Sequence, residues 1–514
     1  MAKTVFRACN GCRHRKVRCN GSQPCAQCAH LNLTCVFPAP PAKRKSSARG
    51  RRVAQLRGKA DGDPSESTER PKDDSPPTAA TVTESSKRDR RQVGLVPIAP
   101  NTGYAPELFI SLLSDFEKFV YPTNPVIPPD EIHASIARID DNSEDAALVY
   151  AVAAVTTRLT KGLGASHGAV DTQVAGFIQH SLKAHRRVDM ADMTNGSVGE
   201  IRANAKRIMT CVFLEMSTMT SKHFDRSFII LREAIAMIQT LGIHQKSTLD
   251  TARYQRLYCE AYIHERYVSA MTGYPCTLPP LATGVPMSDP NLPPHIQVGF
   301  NRLIRLFLIL DGPFLDYLIA QRNPTQVPMP TIPAEWIESK QVQLDEDELG
   351  TVDAERELVA KGHSSLTEGQ HVDLFITRLW LRTLVWQLAL SHGLLRSTPA
   401  YDAHEGLSLH FPVRRLSTQL HHLVTRIRSF SSIAMHGSGI LQKLFEITST
   451  IADVLALPAG QGQPMEGFRP QIENFVFLAE FLLKFERIGE EQKRYLREKV
   501  AALQQSHMMP DLPN

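Results

Sequence analysis

Cys9-Asn10-Gly11-Cys12-Arg13-His14-Arg15-Lys16-Val17-Arg18-Cys19 is followed by Cys25-Ala26-Gln27-Cys28 and then by Cys35. The stretch falls into two near-equal halves. Each is a C-x2-C pair and, after six intervening residues, a third cysteine. Zinc takes four tetrahedral ligands with Zn–S near ~2.3 Å, and a C-x2-C turn aims two thiolates at one ion. Three thiolates per half leave each ion one ligand short. Two ions that share two thiolates let six cysteines fill every coordination position. This spacing predicts two Zn2+ per chain, held by Cys9, Cys12, Cys19, Cys25, Cys28 and Cys35. A mononuclear finger completed by His14 or His30 fits less well, because His14 lies inside a Cys–Cys interval. A disulfide framework needs an oxidising compartment. The opening residues Met1 to Cys9 carry no apolar signal core, so an intracellular chain is expected.

Charge follows the cysteines. Residues 1–60 hold 14 Lys and Arg and no acid before Asp61, so with +5 overall the other 454 residues carry −9. A basic head on a near-neutral body is expected to meet something anionic. Between Cys12 and Cys19 stand Arg13, Arg15, Lys16 and Arg18. A short helix pinned by metal fits the ~12 Å major groove, where Lys and Arg donors meet guanine O6 and N7. Double-stranded DNA is the expected partner.

Residues 8–35 resemble the DNA-binding domain of the fungal zinc-binuclear-cluster transcription factors in all six ligand positions and in the basic run. The resemblance implies that Cys9 and Cys25 bridge the two ions. Cys12 and Cys19 would complete one site, Cys28 and Cys35 the other. It also implies that Lys16 reads a CGG triplet with help from Arg15, while Arg13 and Arg18 grip phosphates. Pro24 stands where the family places a turn-forming proline. Asn20 departs from the acid that is common there.

From Pro38 to Gly103 there is no aromatic residue, and Pro, Ser, Thr and charges dominate. Such a composition buries too little apolar surface to offset chain entropy. Residues 1–38 therefore read as the zinc module and 39–103 as a disordered linker. Lys43, Arg44, Lys45, Arg49, Arg51 and Arg52 in that linker suit a nuclear localisation signal or a phosphate-contacting arm. The segment Val53–Lys59 is too short for a coiled coil, so a homodimer, if formed, would use the body.

Beyond residue 103 the apolar residues step by three and four. Phe228, Leu231, Ile235, Ile238 and Leu241 lead to Gly242, expected as a C-cap. Tyr254 to Met271 repeat the pattern up to Gly273. Leu374–Leu388, Leu478–Ile488 and Gly299–Phe314 read as further helices. Alternating strand patterns are nearly absent. The fold class is mostly α: a small zinc module, a linker, an all-α regulatory domain of about fifteen helices over 104–505, and a tail over 506–514. Residues 231–244 and 264–275 resemble the middle homology region of the same regulators. The acidic run Asp345–Glu348 with Asp353, Glu355 and Glu357 reads as an activation segment or a solvated loop between helices. Cys211, Cys259 and Cys276 lack ligand spacing and are expected as small buried residues.

Membrane insertion is not expected, since the longest uncharged apolar stretch, Ala146–Val155, is half the ~20 residues a span needs. Gly164-Ala165-Ser166-His167-Gly168 fits the nucleophile-elbow string of hydrolases, but that elbow needs a strand before it, and Ala146–Thr160 reads as helix. No enzyme is expected. The resulting expectation is a nuclear activator of RNA polymerase II genes that acts with the transcription machinery at CGG-containing promoters. Its pathway reads first as a secondary-metabolite gene cluster and second as carbon-source utilisation. A zinc-cluster protein adaptor and a serine hydrolase are the remote readings.

Overall fold

The computed structural model describes residues 8–15, 17, 19–30, 34–37, 104–160, 167–192, 201–221, 223–244, 251–322, 331–397, 401, 403–427, 437–457 and 469–508. The linker, the basic cluster at 43–52, the segment 53–59 and Ser166 lie outside them. Among the described residues there is no strand, only one isolated bridge between Arg396 and Ser408.

The head contributes two short helices, α1 (Asn10–Arg15) and α2 (Ala26–His30). The body contributes fifteen described helices. These are α3 (Pro106–Asp115), α4 (Pro129–Ile136), α5 (Ser143–Thr160), α6 (His167–Asp192), α7 (Ala205–Thr220), α8 (Phe224–His244), α9 (Ala252–Thr272) and α10 (Pro294–Ile309). They continue with α11 (Gly312–Arg322), α12 (Ala334–Ala360), α13 (Glu368–Ser391), α14 (Ser417–Arg426), α15 (Gly437–Leu455), α16 (Arg469–Leu483) and α17 (Glu490–Met508). No described helix is long and apolar enough to cross a membrane.

Helix α5 is buried all round from Asp145 to Leu159 and uncharged and apolar from Ala146 to Val155, which makes it a central helix rather than a surface one. Its alanines allow α6 and α7 to pack closely along it. Asn142 accepts the backbone N–H groups of Glu144 and Asp145 at its start. Asp145 is buried there but bonded to Lys206 at 2.6 Å, Arg138 at 2.7 Å and Ser135 at 2.8 Å. A second set packs around α13, against α10, α12 and α15. Thr367 and Gln370 form a capping box at its start. Trp380, in its middle, is fully buried and donates its indole N–H to Glu446 at 2.9 Å. Helix α9 joins the two sets, touching α7 and α8 on one side and α10 and α11 on the other.

Four sequence expectations are corrected. The Leu478–Ile488 segment is helical only to Leu483, where α16 ends, and residues 484–489 turn the chain before α17. Gly242 does not end its helix, since α8 runs on to His244. One glycine costs a helix ~1 kcal/mol, which the buried flank at Ile238 and Leu241 outweighs. The Gly299–Phe314 segment is two helices: Leu310 leaves helical geometry, and Asp311 accepts the Phe314 N–H to start α11. The acidic run is no loop either. It lies inside α12, where Asp347 pairs with Arg302 and Arg378, and Asp345 and Glu348 pair with Arg382. Gly273 does cap α9, at φ 82°.

Candidate metal centre and nucleic-acid interface

The two halves of the cysteine motif fold alike. α1 starts after Cys9 and α2 after Cys25, with Arg13 N–H donating to Cys9 O and Ala29 N–H to Cys25 O. The Cys12 N–H points at Cys9 Sγ (3.4 Å) and the Cys28 N–H at Cys25 Sγ (3.3 Å). The Cys9 N–H faces Cys19 Sγ and the Cys25 N–H faces Cys35 Sγ, at 3.4 and 3.2 Å. Each of these contacts in one half thus has its twin in the other.

The sulfurs gather into two groups of four. One is Cys9, Cys12, Cys19 and Cys25, the other Cys9, Cys25, Cys28 and Cys35, each with its ligand atoms within 4.8 Å of one another. Cys9 and Cys25 belong to both. The Cys9–Cys25, Cys9–Cys28 and Cys12–Cys25 sulfurs are 3.7, 3.4 and 3.4 Å apart. A tetrahedron with arms of ~2.3 Å has edges of ~3.8 Å, so the spacing suits zinc, and none of these cysteines forms a disulfide. Burial pushes the Cys12 and Cys28 thiols up, and neighbouring sulfurs add to it. Burial also opposes ionisation of Cys25, but the Cys28 N–H and the surrounding thiols outweigh it and bring Cys25 to about 6. Such a cluster cannot carry several thiolates together without cations among them.

Neighbouring residues hold this geometry. A Cβ on Gly11 would sit 3.3 Å from Cys28 Sγ, pressing on a sulfur of the second group. Asn20 Oδ1 accepts the Ala26 N–H at 2.9 Å and the Ser22 hydroxyl at 3.0 Å, a task for which an amide oxygen serves as well as a carboxylate. Pro24 follows a cis peptide bond. Asn10 N–H closes the module onto Val36 O at 2.7 Å. Nothing in the motif's spacing marks Gly11, Asn10 or Val36 for these roles.

Arg13 is exposed on α1, and Arg15 is its last residue. Lys16, Arg18 and the six basic residues from Lys43 to Arg52 lie outside the described residues. In the body, Cys211 and Cys259 are buried as expected and Cys276 is half-buried. Cys211 Sγ also lies 3.7 Å from His185 Nε2, which is 2.7 Å from Glu233. Burial holds that thiol well above its ordinary value.

Residues 7–45 match the Fungal Zn(2)-Cys(6) binuclear cluster domain. Over 461 residues, 87% of this chain and 84% of the relative, the sequence is 23% identical to the maltose fermentation regulatory protein MAL13 of Saccharomyces cerevisiae.

The chain belongs to the fungal Zn(2)-Cys(6) regulators.

A shorter match, 23% identical over 49% of this chain and 46% of the relative, is to the probable sucrose utilization protein SUC1 of Candida albicans. The thiamine repressible genes regulatory protein thi1 of Schizosaccharomyces pombe is 54% identical over 35 residues, 7% of this chain and 4% of its own. This Zn(2)-Cys(6) regulator is therefore a DNA-binding transcription factor and no enzyme, and its zinc domain binds two zinc ions.

Proposed function

We propose that this regulator acts in the nucleus as a sequence-specific activator of genes for sugar utilisation, reading CGG triplets through the head. The observation that carries the reading is the pair of four-sulfur groups that share Cys9 and Cys25. Two zinc ions on these six cysteines would hold the ends of the Arg13–Arg18 segment, so that its cations enter the groove together. Lys16, aided by Arg15, would donate to guanine O6 and N7, while Arg13 and Arg18 meet phosphates. For the pathway, maltose and sucrose stand in the names of two similar proteins. The relatives named above offer no such support for a secondary-metabolite cluster. The matches extend through the body, so the kinship is not confined to the zinc module.

Two experiments test this. Full-length protein with Lys16→Ala should lose ~1–3 kcal/mol of discrimination between a CGG duplex and a scrambled one. An equal loss on both would remove the base-reading role. Deleting the gene should lower transcripts for sugar uptake and glycoside hydrolysis during growth on maltose or sucrose. Unchanged sugar transcripts beside a falling metabolite cluster would favour the other pathway.

A further inference from the structure

Where α9 joins the two halves of the body, the structure forms a half-open pocket of about 140 Å³. Its walls carry Arg158, His264 and Lys443 against Glu215, Glu260 and Asp373, together with the rings of Tyr267 and Phe307. Six ionisable groups around one small chamber are more than packing needs, because burying charge is costly unless every group is paired.

Some of these groups serve to hold others. Both oxygens of Glu215 have partners, Oε1 accepting from Ser227 at 3.1 Å and Oε2 meeting His264 Nδ1 at 2.7 Å. The other imidazole nitrogen of His264 lies 3.4 Å from Glu260 Oε1. Lys443 donates to Thr377 at 2.7 Å and sits 3.8 Å from Asp373, its ammonium 5.4–5.6 Å from the rings of Tyr267, Trp380 and Phe307. An ammonium has three donors, so this network leaves capacity at Lys443. Glu260, only 2% exposed, keeps Oε2 without a hydrogen-bond partner. Burial pushes the Glu260 carboxyl up against the pull of His264, a strain that an incoming donor would relieve.

Three cations face three acids, so a charged ligand gains little net attraction. A neutral molecule rich in hydroxyls can use both kinds, donating to carboxylates and accepting from Lys443, while its C–H faces lie against the aromatic rings. A cavity of ~150 Å³ accommodates one six-membered ring. We propose that this chamber binds a single polyhydroxylated ring the size of a pyranose, with Glu260 and Lys443 as its principal polar contacts, and that this is the effector site of the body. The inference rests on the reading of the chain as a sugar-utilisation regulator.

The test is calorimetric titration of the full-length zinc-loaded protein with D-glucose, maltose and, as a ring without the polyol, cyclohexanol. Expected is saturable D-glucose binding at one site per chain, at least tenfold tighter than maltose or cyclohexanol. Lys443→Met should weaken it at least tenfold and the isosteric Glu260→Gln at least fivefold, with helical content and CGG-duplex affinity unchanged in both. If Lys443→Met loses helicity, Glu260→Gln carries the test alone. No saturable D-glucose binding, cyclohexanol binding as tightly, maltose binding in preference, or unaltered affinity in the folded variants would each overturn the assignment. If it fails while gene deletion still silences sugar transcripts, the pathway reading stands and the chamber is only a hydrated ionic network. Binding without an effect of gene deletion on sugar transcripts would keep the ring site and remove the pathway reading.

Discussion

Head and body reach a defined structure by opposite routes. Among the described residues of the head, Cys9, Cys12, Cys25 and Cys28 are the fully buried side chains around which two short helices turn, and Val17 is the one other buried side chain. In the body, one contiguous apolar cluster runs from Phe109 to Leu503 through fifteen helices, with ion pairs embedded in it. A module too small to bury enough apolar area borrows its stability from metal, whereas a large one can also bear the cost of interior charges.

The largest effect expected from this contrast is that of zinc removal. Structural zinc supplies ~10–16 kcal/mol in small zinc modules. A strong chelator should abolish binding to a CGG duplex while leaving the helical signal and thermal midpoint of the body in place. A body that melts with the head would break the comparison.

Next in size is a charge removed from the body. Asp347→Ala leaves Arg378 buried without its 2.7 Å partner and strips Arg302 as well, for a loss of ~3–5 kcal/mol in denaturant unfolding. Glu357→Ala removes a partner of Lys361 on an exposed surface and should leave the midpoint where it is. Equal effects from the two would mean that burial does not set the worth of these pairs.

The third expected effect is a slope. Burial pulls the His264 pKa down, but Glu215 and Glu260 outweigh it and hold the imidazole at about 10. The folded state favours the protonated ring, so its contribution is full below the usual ~6.5 and is lost as pH rises through about 10. One proton gives at most ~1.4 kcal/mol per pH unit. Between pH 7 and 10 the wild-type body should lose stability faster than His264→Gln. Parallel curves would show that the imidazole is neutral in the fold.

The two regions also differ in how legible they are. Ligand spacing is local: the six cysteines span fewer than thirty residues, so the two halves and the need to share two thiolates can be read from counting, while the choice of Cys9 and Cys25 as bridges is what the resemblance implies. Helix positions in the body follow from periodicity, and α9 ends at Gly273 as its sequence implies. The acidic run misleads because its partners are remote. Arg302, Arg378 and Arg382 come from α10 and α13, and only their arrival gives Asp345, Asp347 and Glu348 partners within a packed helix, while Glu346 stays exposed. Gly11 and Asn20 show nothing of their tasks in the sequence. Clearance beneath Cys28 and an acceptor for Ala26 are needed only once the two halves face each other.

The sequence by itself determined the metal framework, the polarity of charge and the helical class, because each depends on residue type and near-neighbour spacing. Tertiary structure alone decided which acids are buried and which ions share a chamber. Glu215, Glu260, Asp373 and Lys443 lie on four separate stretches of chain and meet only where α7, α9, α13 and α15 converge. Their charge states, and any ligand they hold, are properties of that convergence, because desolvation and Coulomb energy depend on distance in space and not on distance along the chain.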